Sequence, residues 1–156
     1  MNDETEQYDQ VKAKTRILIV DDHSIVRRGL TGLINQEPEL VVSDEAENAT
    51  QALEIIESGH IDLAIVDISM EGMNGIQLTE QIKTHRPDIP VVILSMHDEL
   101  SYAKRAFNAG ARGYIVKHEA AEKIIPAIHH VLGGKVHVSE RMAKKIIDAN
   151  AFECLI

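Results

Sequence analysis

Cysteine is almost absent from this chain, the only one being Cys154, three residues from the end. That excludes a disulfide framework and any cysteine-based metal site, and it fits a reducing cytoplasm. An excess of positive charge is missing too. Sixteen Lys and Arg face 25 Asp and Glu, for a net charge of −9, so the chain repels DNA phosphates and lacks the basic footprint of a nucleic-acid binder. No apolar segment approaches the ~20 residues needed to span a bilayer. Met1 to Thr15 is polar and acid-rich, and reads as neither signal peptide nor anchor. Repeats and low-complexity tracts are not visible, and the eight histidines lack the ligand spacing typical of zinc. What remains is an ordinary globular balance, 44% hydrophobic and 26% charged over 156 residues. One domain with tails is expected, soluble and intracellular.

Helical and strand patterns alternate five times. After a lead-in over 1–15, a strand is expected at 16–20 and a helix at 23–35 with Val26, Leu30, Leu33 and Ile34 on one stripe. A weaker strand covers 40–46. Asn48 then caps a helix bearing Ala49, Ala52, Leu53 and Ile56, stopped by Gly59. Strands at 61–66, 91–94 and 113–116 are followed by helices at 75–85, 98–108 and one striped by Ile124, Ala127, Ile128, Val131 and Leu132. Pro126 should bend that last helix or delay its start. Ser139 is positioned to cap a final helix over 139–150, with Arg141, Lys144 and Lys145 on its solvated face. Continuous apolar central strands argue for a parallel sheet covered on both faces. The expected fold is therefore α/β, a doubly wound sheet of five parallel strands in the order 2-1-3-4-5.

Four of the apolar runs end in residues suited to phosphoryl chemistry: Asp21-Asp22, Asp67, Ser95 and Lys117. In parallel strands these endings share one sheet edge, where ligands of open α/β sheets bind. Alone, each has a duller explanation. Asp21 or Asp22 would cap a helix, Asp67 would close a turn, Ser95 would cap a helix, and Lys117 would be a solvated lysine. Together they put three carboxylates at one point, where two unit charges repel by about 4 kcal/mol at an effective dielectric near 20. A hard divalent ion relieves this, and Mg²⁺ (or Mn²⁺) suits oxygen ligands. A carboxylate beside such an ion and an ammonium is what an aspartyl-phosphate needs.

The stretches ILIVDDH (17–23), LAIVDISMEGMNG (63–75), VVILSMHDE (91–99) and GARGYIVK (110–117) resemble the receiver domain of two-component response regulators, of the LuxR/FixJ (NarL-like) type. The resemblance implies a flavodoxin-like receiver domain over 16–135, a linker helix or tail over 136–156, and a helix-turn-helix domain that this chain does not carry. It implies Asp67 as phosphoacceptor, and Asp22, Asp67 and the Ser69 carbonyl as Mg²⁺ ligands, with Asp21 acting through water. Ser95 and Lys117 would stabilise the phosphoryl group, Ser95 and Tyr114 would form the switch, and Gly75 would be the turn glycine after the phosphoacceptor. The implied partners are a sensor histidine kinase and, once phosphorylated, a second copy of the chain. DNA and membrane are not expected as partners of this chain alone.

Three residues depart from the family pattern. His118 stands where many receivers have a cis-proline, and a trans bond is expected because a cis bond before other residues costs about 2.5–4 kcal/mol. Glu71 replaces a common proline and adds negative charge. Met96 is bulkier than usual and would narrow access to Asp67. His23 and His97 lie near the pocket mouth as candidate modulators of phosphate lifetime. Two other readings share parts of the pattern, an aspartate-nucleophile phosphatase and a receiver-like docking module that is never phosphorylated. The phosphatase reading expects its two acids as Asp-x-Asp on the first strand, whereas here they are adjacent and the lone acid ends the third. A flavodoxin-like nucleotide binder would need a phosphate loop where this chain has two aspartates.

Overall fold

The computed structural model describes residues 14–155, with side chains described for 14–149. The lead-in expected over 1–15 lies almost wholly outside these residues. Lys14 and Thr15 are the exceptions, and Thr15 already belongs to the first strand. Five strands, β1 (Thr15–Val20), β2 (Leu40–Ala46), β3 (Leu63–Asp67), β4 (Val91–Ser95) and β5 (Gly113–Val116), form one parallel sheet in the order β2-β1-β3-β4-β5. Helices α1 (Ser24–Asn35), α2 (Ala49–Ser58), α3 (Gly75–His85), α4 (Leu100–Asn108) and α5 (Ala120–Leu132) make the crossovers, and α6 (Glu140–Leu155) follows. This is the expected doubly wound topology.

The strands carry apolar residues on both faces because both faces are covered. One core layer joins Leu18, Val20, Ala64, Val66, Ile93 and Tyr114 to α2, α3 and α4. The other joins Ile17, Ile19, Leu63, Ile65, Leu94 and Ile115 to α1 and α5. Local signals set several boundaries. The Asn48 side chain accepts the Gln51 N–H at 2.9 Å and starts α2. Asn74 and Gln77 form a reciprocal capping box at α3, which satisfies two backbone donors that would otherwise be orphaned.

Some expectations need correction. The third strand starts at Leu63 and includes Asp67. Asp62 instead turns at the lower edge, its carboxylate accepting the Arg16 N–H at 2.8 Å. Pro126 does not delay α5, which begins at Ala120 and runs through it after a 3₁₀ turn at Lys117–Glu119. Leu132 is not core. It ends α5 at the open lower rim, beside Lys14 and Pro90, and stays 40% exposed.

The segment after α5 returns to the sheet. Tyr114 N–H donates to the His137 carbonyl and His137 N–H donates to the Arg112 carbonyl, both at 2.9 Å, so residues 136–138 cover the β5 edge. Ser139 caps α6, accepting the Met142 N–H at 3.1 Å. Met142 is buried and Ile146 packs on the α4 side of the core. The basic face of α6 is therefore not wholly solvated. Arg141 lies 3.4 Å from the Asp98 carboxylate, and Lys145 Nζ donates to the Asp98 carbonyl at 3.2 Å.

Candidate functional site

Strand register assembles the site. Val20 of β1 lies opposite Val66 of β3, and Asp67 opposite Leu94 of β4. Ser95 lies opposite Val116 of β5, so the residues that follow these strands emerge together at the carboxyl edge. Asp21 and Asp67 are completely buried, and Asp22 is at the surface. Lys117 reaches between the two buried acids, its Nζ 3.0 Å from Asp21 Oδ2 and 3.1 Å from Asp67 Oδ2. Neither Oδ2 has any hydrogen-bond partner beyond this ion-pair contact.

The remaining oxygens are held by backbone. Ser69 N–H donates to Asp67 Oδ1 at 3.2 Å, and His23 N–H donates to Asp21 Oδ1 at 2.8 Å. Gly75 closes the loop that follows Asp67, its N–H donating to the Ile68 carbonyl at 3.0 Å. A β-carbon there would sit 2.2 Å from the Asp67 carbonyl oxygen, so no other residue fits without moving the end of β3.

Electrostatics follow from this packing. Burial raises the Asp67 pKa, and the neighbouring Asp21 charge adds to it, against the Ser69 N–H and Lys117. For Lys117 burial pulls downward, but contact with Asp21 and the charge of Asp67 outweigh it and the ammonium is held more firmly. One ammonium thus serves two buried carboxylates, with Asp22 close by. Ligand atoms of Asp21, Asp22, His23 and Asp67 lie within 4.8 Å of one another. An oxygen-rich set with two unsatisfied buried acceptors fits a hard divalent cation of the Mg²⁺ kind.

Ser95 is buried, and its Oγ accepts the His97 N–H at 2.9 Å. Tyr114 donates its hydroxyl to the His97 carbonyl at 2.5 Å and is only 2% exposed. Burial raises the Tyr114 pKa, opposed by the Ser95 hydroxyl beside it and reinforced by Glu99 and Asp98. The aromatic side chain is therefore inside, packed at Ser95. The His97 ring stacks on Tyr102 at 4.1 Å and 5°. Met96 stands 71% exposed, so its bulk is directed largely into solvent. All described peptide bonds are trans, including the one before His118.

Sequence reasoning missed Arg27. Its Nη1 donates to the Asp21 carbonyl at 2.6 Å, while Nε pairs with Glu45 at 3.2 Å. The available signal was an arginine one turn into the helix after the acid pair, with Glu45 and Glu47 closing the neighbouring strand.

Comparison with known proteins agrees with this geometry. The response regulator receiver domain family matches residues 17–129. The chain is 32% identical over 134 residues to the transcriptional regulatory protein DegU of Brevibacillus brevis, covering 86% of this chain and 57% of that protein. It is 32% identical over 126 residues to the nitrate/nitrite response regulator protein NarL of Escherichia coli K12, covering 81% of this chain and 58% of NarL. It therefore spans less than two thirds of the length of these relatives. A solved LuxR-family two-component response regulator from Aurantimonas sp. SI85-9A1 superposes with a TM-score of 0.83 at 32% identity, over 88% of this chain and 99% of that one.

Proposed function

This chain belongs to the response regulator receiver family, and on that premise we propose that Asp67 accepts a phosphoryl group from a phosphohistidine of a sensor kinase. An Asp67 carboxylate oxygen forms the new O–P bond as the donor's N–P bond breaks, and the imidazole leaves with the electron pair. The observation that carries this reading is a fully buried carboxylate at a strand end, with Oδ2 facing only the Lys117 ammonium. Lys117 neutralises charge growing on the phosphoryl oxygens, and the Ser95 hydroxyl donates to them. The Ser69 N–H fixes Asp67 Oδ1 and so orients the attack.

Asp22, Asp67 and the Ser69 carbonyl are the expected Mg²⁺ ligands, with Asp21 acting through water. When bound, the ion supplies positive charge to the phosphoryl oxygens. Asp22→Ala should weaken Mg²⁺ binding more than Asp21→Ala, which a titration of both variants checks.

Asp67 phosphorylation is then read out through Ser95 and Tyr114 as a change in self-association that favours a homodimer and serves a transcriptional output. That output would belong to a longer protein, as the names of the relatives suggest. We assign 16–135 to the receiver, 1–15 to a lead-in and 136–156 to a C-terminal extension. The cytoplasm is the compartment this function needs, and among the described residues no helix is long and apolar enough to cross a membrane. The test is intact mass after incubation with a small-molecule phosphodonor and Mg²⁺. One acid-labile phosphoryl group is expected on the wild type and none on Asp67→Asn; uptake by that variant at the wild-type rate would overturn the assignment.

A further inference from the structure

We propose that His23 is a nitrogen ligand on the rim of the metal site, used by borderline transition ions such as Co²⁺, Ni²⁺ and Zn²⁺ and left out by Mg²⁺. The proposal rests on the reading that Asp22 and Asp67 hold a divalent ion. Its own basis is where the imidazole sits. His23 Nδ1 lies 2.9 Å from Asp22 Oδ1 and 3.0 Å from Asp21 Oδ1. The side chain is 63% exposed, so solvent was open to it, yet it lies across the two carboxylates.

The spacing has a metrical meaning. An octahedral ion with ligands at about 2.1 Å holds adjacent ligands about 3.0 Å apart and opposite ones about 4.2 Å apart. The 2.9 Å from Nδ1 to Asp22 Oδ1 matches the spacing of adjacent ligands, while the contact with Asp21, expected to act through water, is a hydrogen bond. The whole set spans at most 4.8 Å, so closing on an ion needs only small shifts. The backbone already holds this arrangement. His23 is the N-cap of α1 in an extended conformation (φ −98°, ψ 108°), and its own N–H is fixed on Asp21 Oδ1.

Without an ion, Nδ1–H donates to the acid pair. To bind an ion, Nδ1 offers its lone pair, so the proton it held leaves that nitrogen. Imidazole is a good donor to Co²⁺, Ni²⁺ and Zn²⁺, while Mg²⁺ prefers oxygen and keeps its waters. His23 therefore makes this pocket discriminate between cations, and an ion held through imidazole would compete with the one used for phosphorylation.

The test measures binding of Co²⁺, Ni²⁺ and Mg²⁺ to the full chain by calorimetry, with the visible spectrum of the Co²⁺ form as a second readout. His23→Gln keeps an N–H donor but removes the imidazole. In this variant Co²⁺ and Ni²⁺ affinity should fall on the order of 10- to 100-fold, the Co²⁺ spectrum should change, and Mg²⁺ affinity should stay within about twofold. Excess Mg²⁺ should displace Co²⁺ from the wild type. Equal Co²⁺ affinity in wild type and variant would overturn the proposal, as would equal losses for Co²⁺ and Mg²⁺, since His23 would then only position the acids. Co²⁺ bound with an affinity and spectrum unchanged by His23→Gln lies elsewhere, for instance at Glu37, Glu39 and His129, and counts against it. Asp22→Asn separates the two ideas. If it bound every ion like the wild type, the metal-site reading itself would fail.

Discussion

Two places in this molecule press like groups together, and they resolve the conflict in opposite ways. At the carboxyl edge of the sheet, Asp21 and Asp67 share a buried pocket and one ammonium. At the seam between α5 and the returning segment, His130 Nδ1 lies 2.9 Å from His137 Nδ1, with the rings 5.2 Å apart. Burial shifts both sites toward neutrality. It raises the Asp67 pKa, with Asp21 adding to the effect, and lowers that of His137, with His130 and Lys123 adding to it. The seam is satisfied once neutral, because one imidazole donates to the other and the His137 backbone is bonded twice to β5 and its flank. The pocket is not, since two buried oxygens lack hydrogen-bond partners. The pocket's unpaired oxygens suit the cation and phosphoryl group proposed above; the seam, satisfied, holds a segment down.

The sharpest way to break this contrast is to remove the ammonium. Lys117→Ala leaves two buried carboxylates uncompensated, and losing one partner of a buried pair costs about 3–5 kcal/mol. Chemical denaturation at neutral pH without metal should show a loss near the lower figure, because Asp67 can take up a proton instead. The loss should shrink in acid. An unchanged midpoint at neutral pH would mean that the acids are not in conflict.

The opposite change should stabilise. Asp67 has a raised pKa in the folded chain, so the folded state holds its proton more tightly than the unfolded state does. Its contribution is most favourable in acid and is lost as pH rises from the ordinary carboxyl value through the raised one. Asp67→Asn should therefore stabilise the metal-free chain at neutral pH and flatten that pH dependence. Mg²⁺ should stabilise the wild type more than the variant. Thermal melts with and without Mg²⁺ check both statements, and a less stable metal-free variant would contradict them.

The seam should respond with the other sign. A His with a lowered folded pKa destabilises the fold as pH falls below its unfolded value near 6.5. Lys123, Glu119, Glu140 and Arg141 line the same cleft, and of these Lys123 adds to the lowering of His137. Hydrogen-exchange protection factors at residues 136–146, which divide out the slower intrinsic exchange in acid, should fall between about pH 7.5 and 5.5. His130→Gln should blunt that fall. Protection lost equally across the whole domain would point to global loosening.

The pocket was legible in the sequence and the seam was not, for a physical reason. Asp21, Asp22, Asp67, Ser95 and Lys117 each end an apolar run, and parallel strands in register bring such endings together whatever the helices do. Gly75 to His85 was equally legible, because Pro87 and Pro90 just after it are local stop signals. The seam depends on His137 meeting Gly113 across 24 positions, which no periodicity announces. Arg141 and Lys145 read as solvated until the fold brings Asp98 beneath them. Arg27 was hidden likewise, since its target is a backbone carbonyl.

The smallest effect lies where pocket and output meet. Ser95 and Tyr114 are both tied to His97, one accepting its N–H and the other donating to its carbonyl. Tyr114 is buried beside Ser95. The proposed lever of phosphorylation is the Ser95 hydroxyl, which would donate to a phosphoryl oxygen and be drawn away from the His97 N–H. A ligand shifts a two-state equilibrium only by its differential free energy, typically ~1–3 kcal/mol for such coupling. Ser95→Ala removes one neutral hydrogen bond and should cost the fold about 1 kcal/mol or less. It should still accept phosphate on Asp67, more slowly, while losing most of the phosphorylation-linked change in sedimentation. A phosphorylated Ser95→Ala chain that dimerised as fully as the wild type would show that the signal leaves the pocket by another route, with the Asp98 contacts to α6 the first place to look.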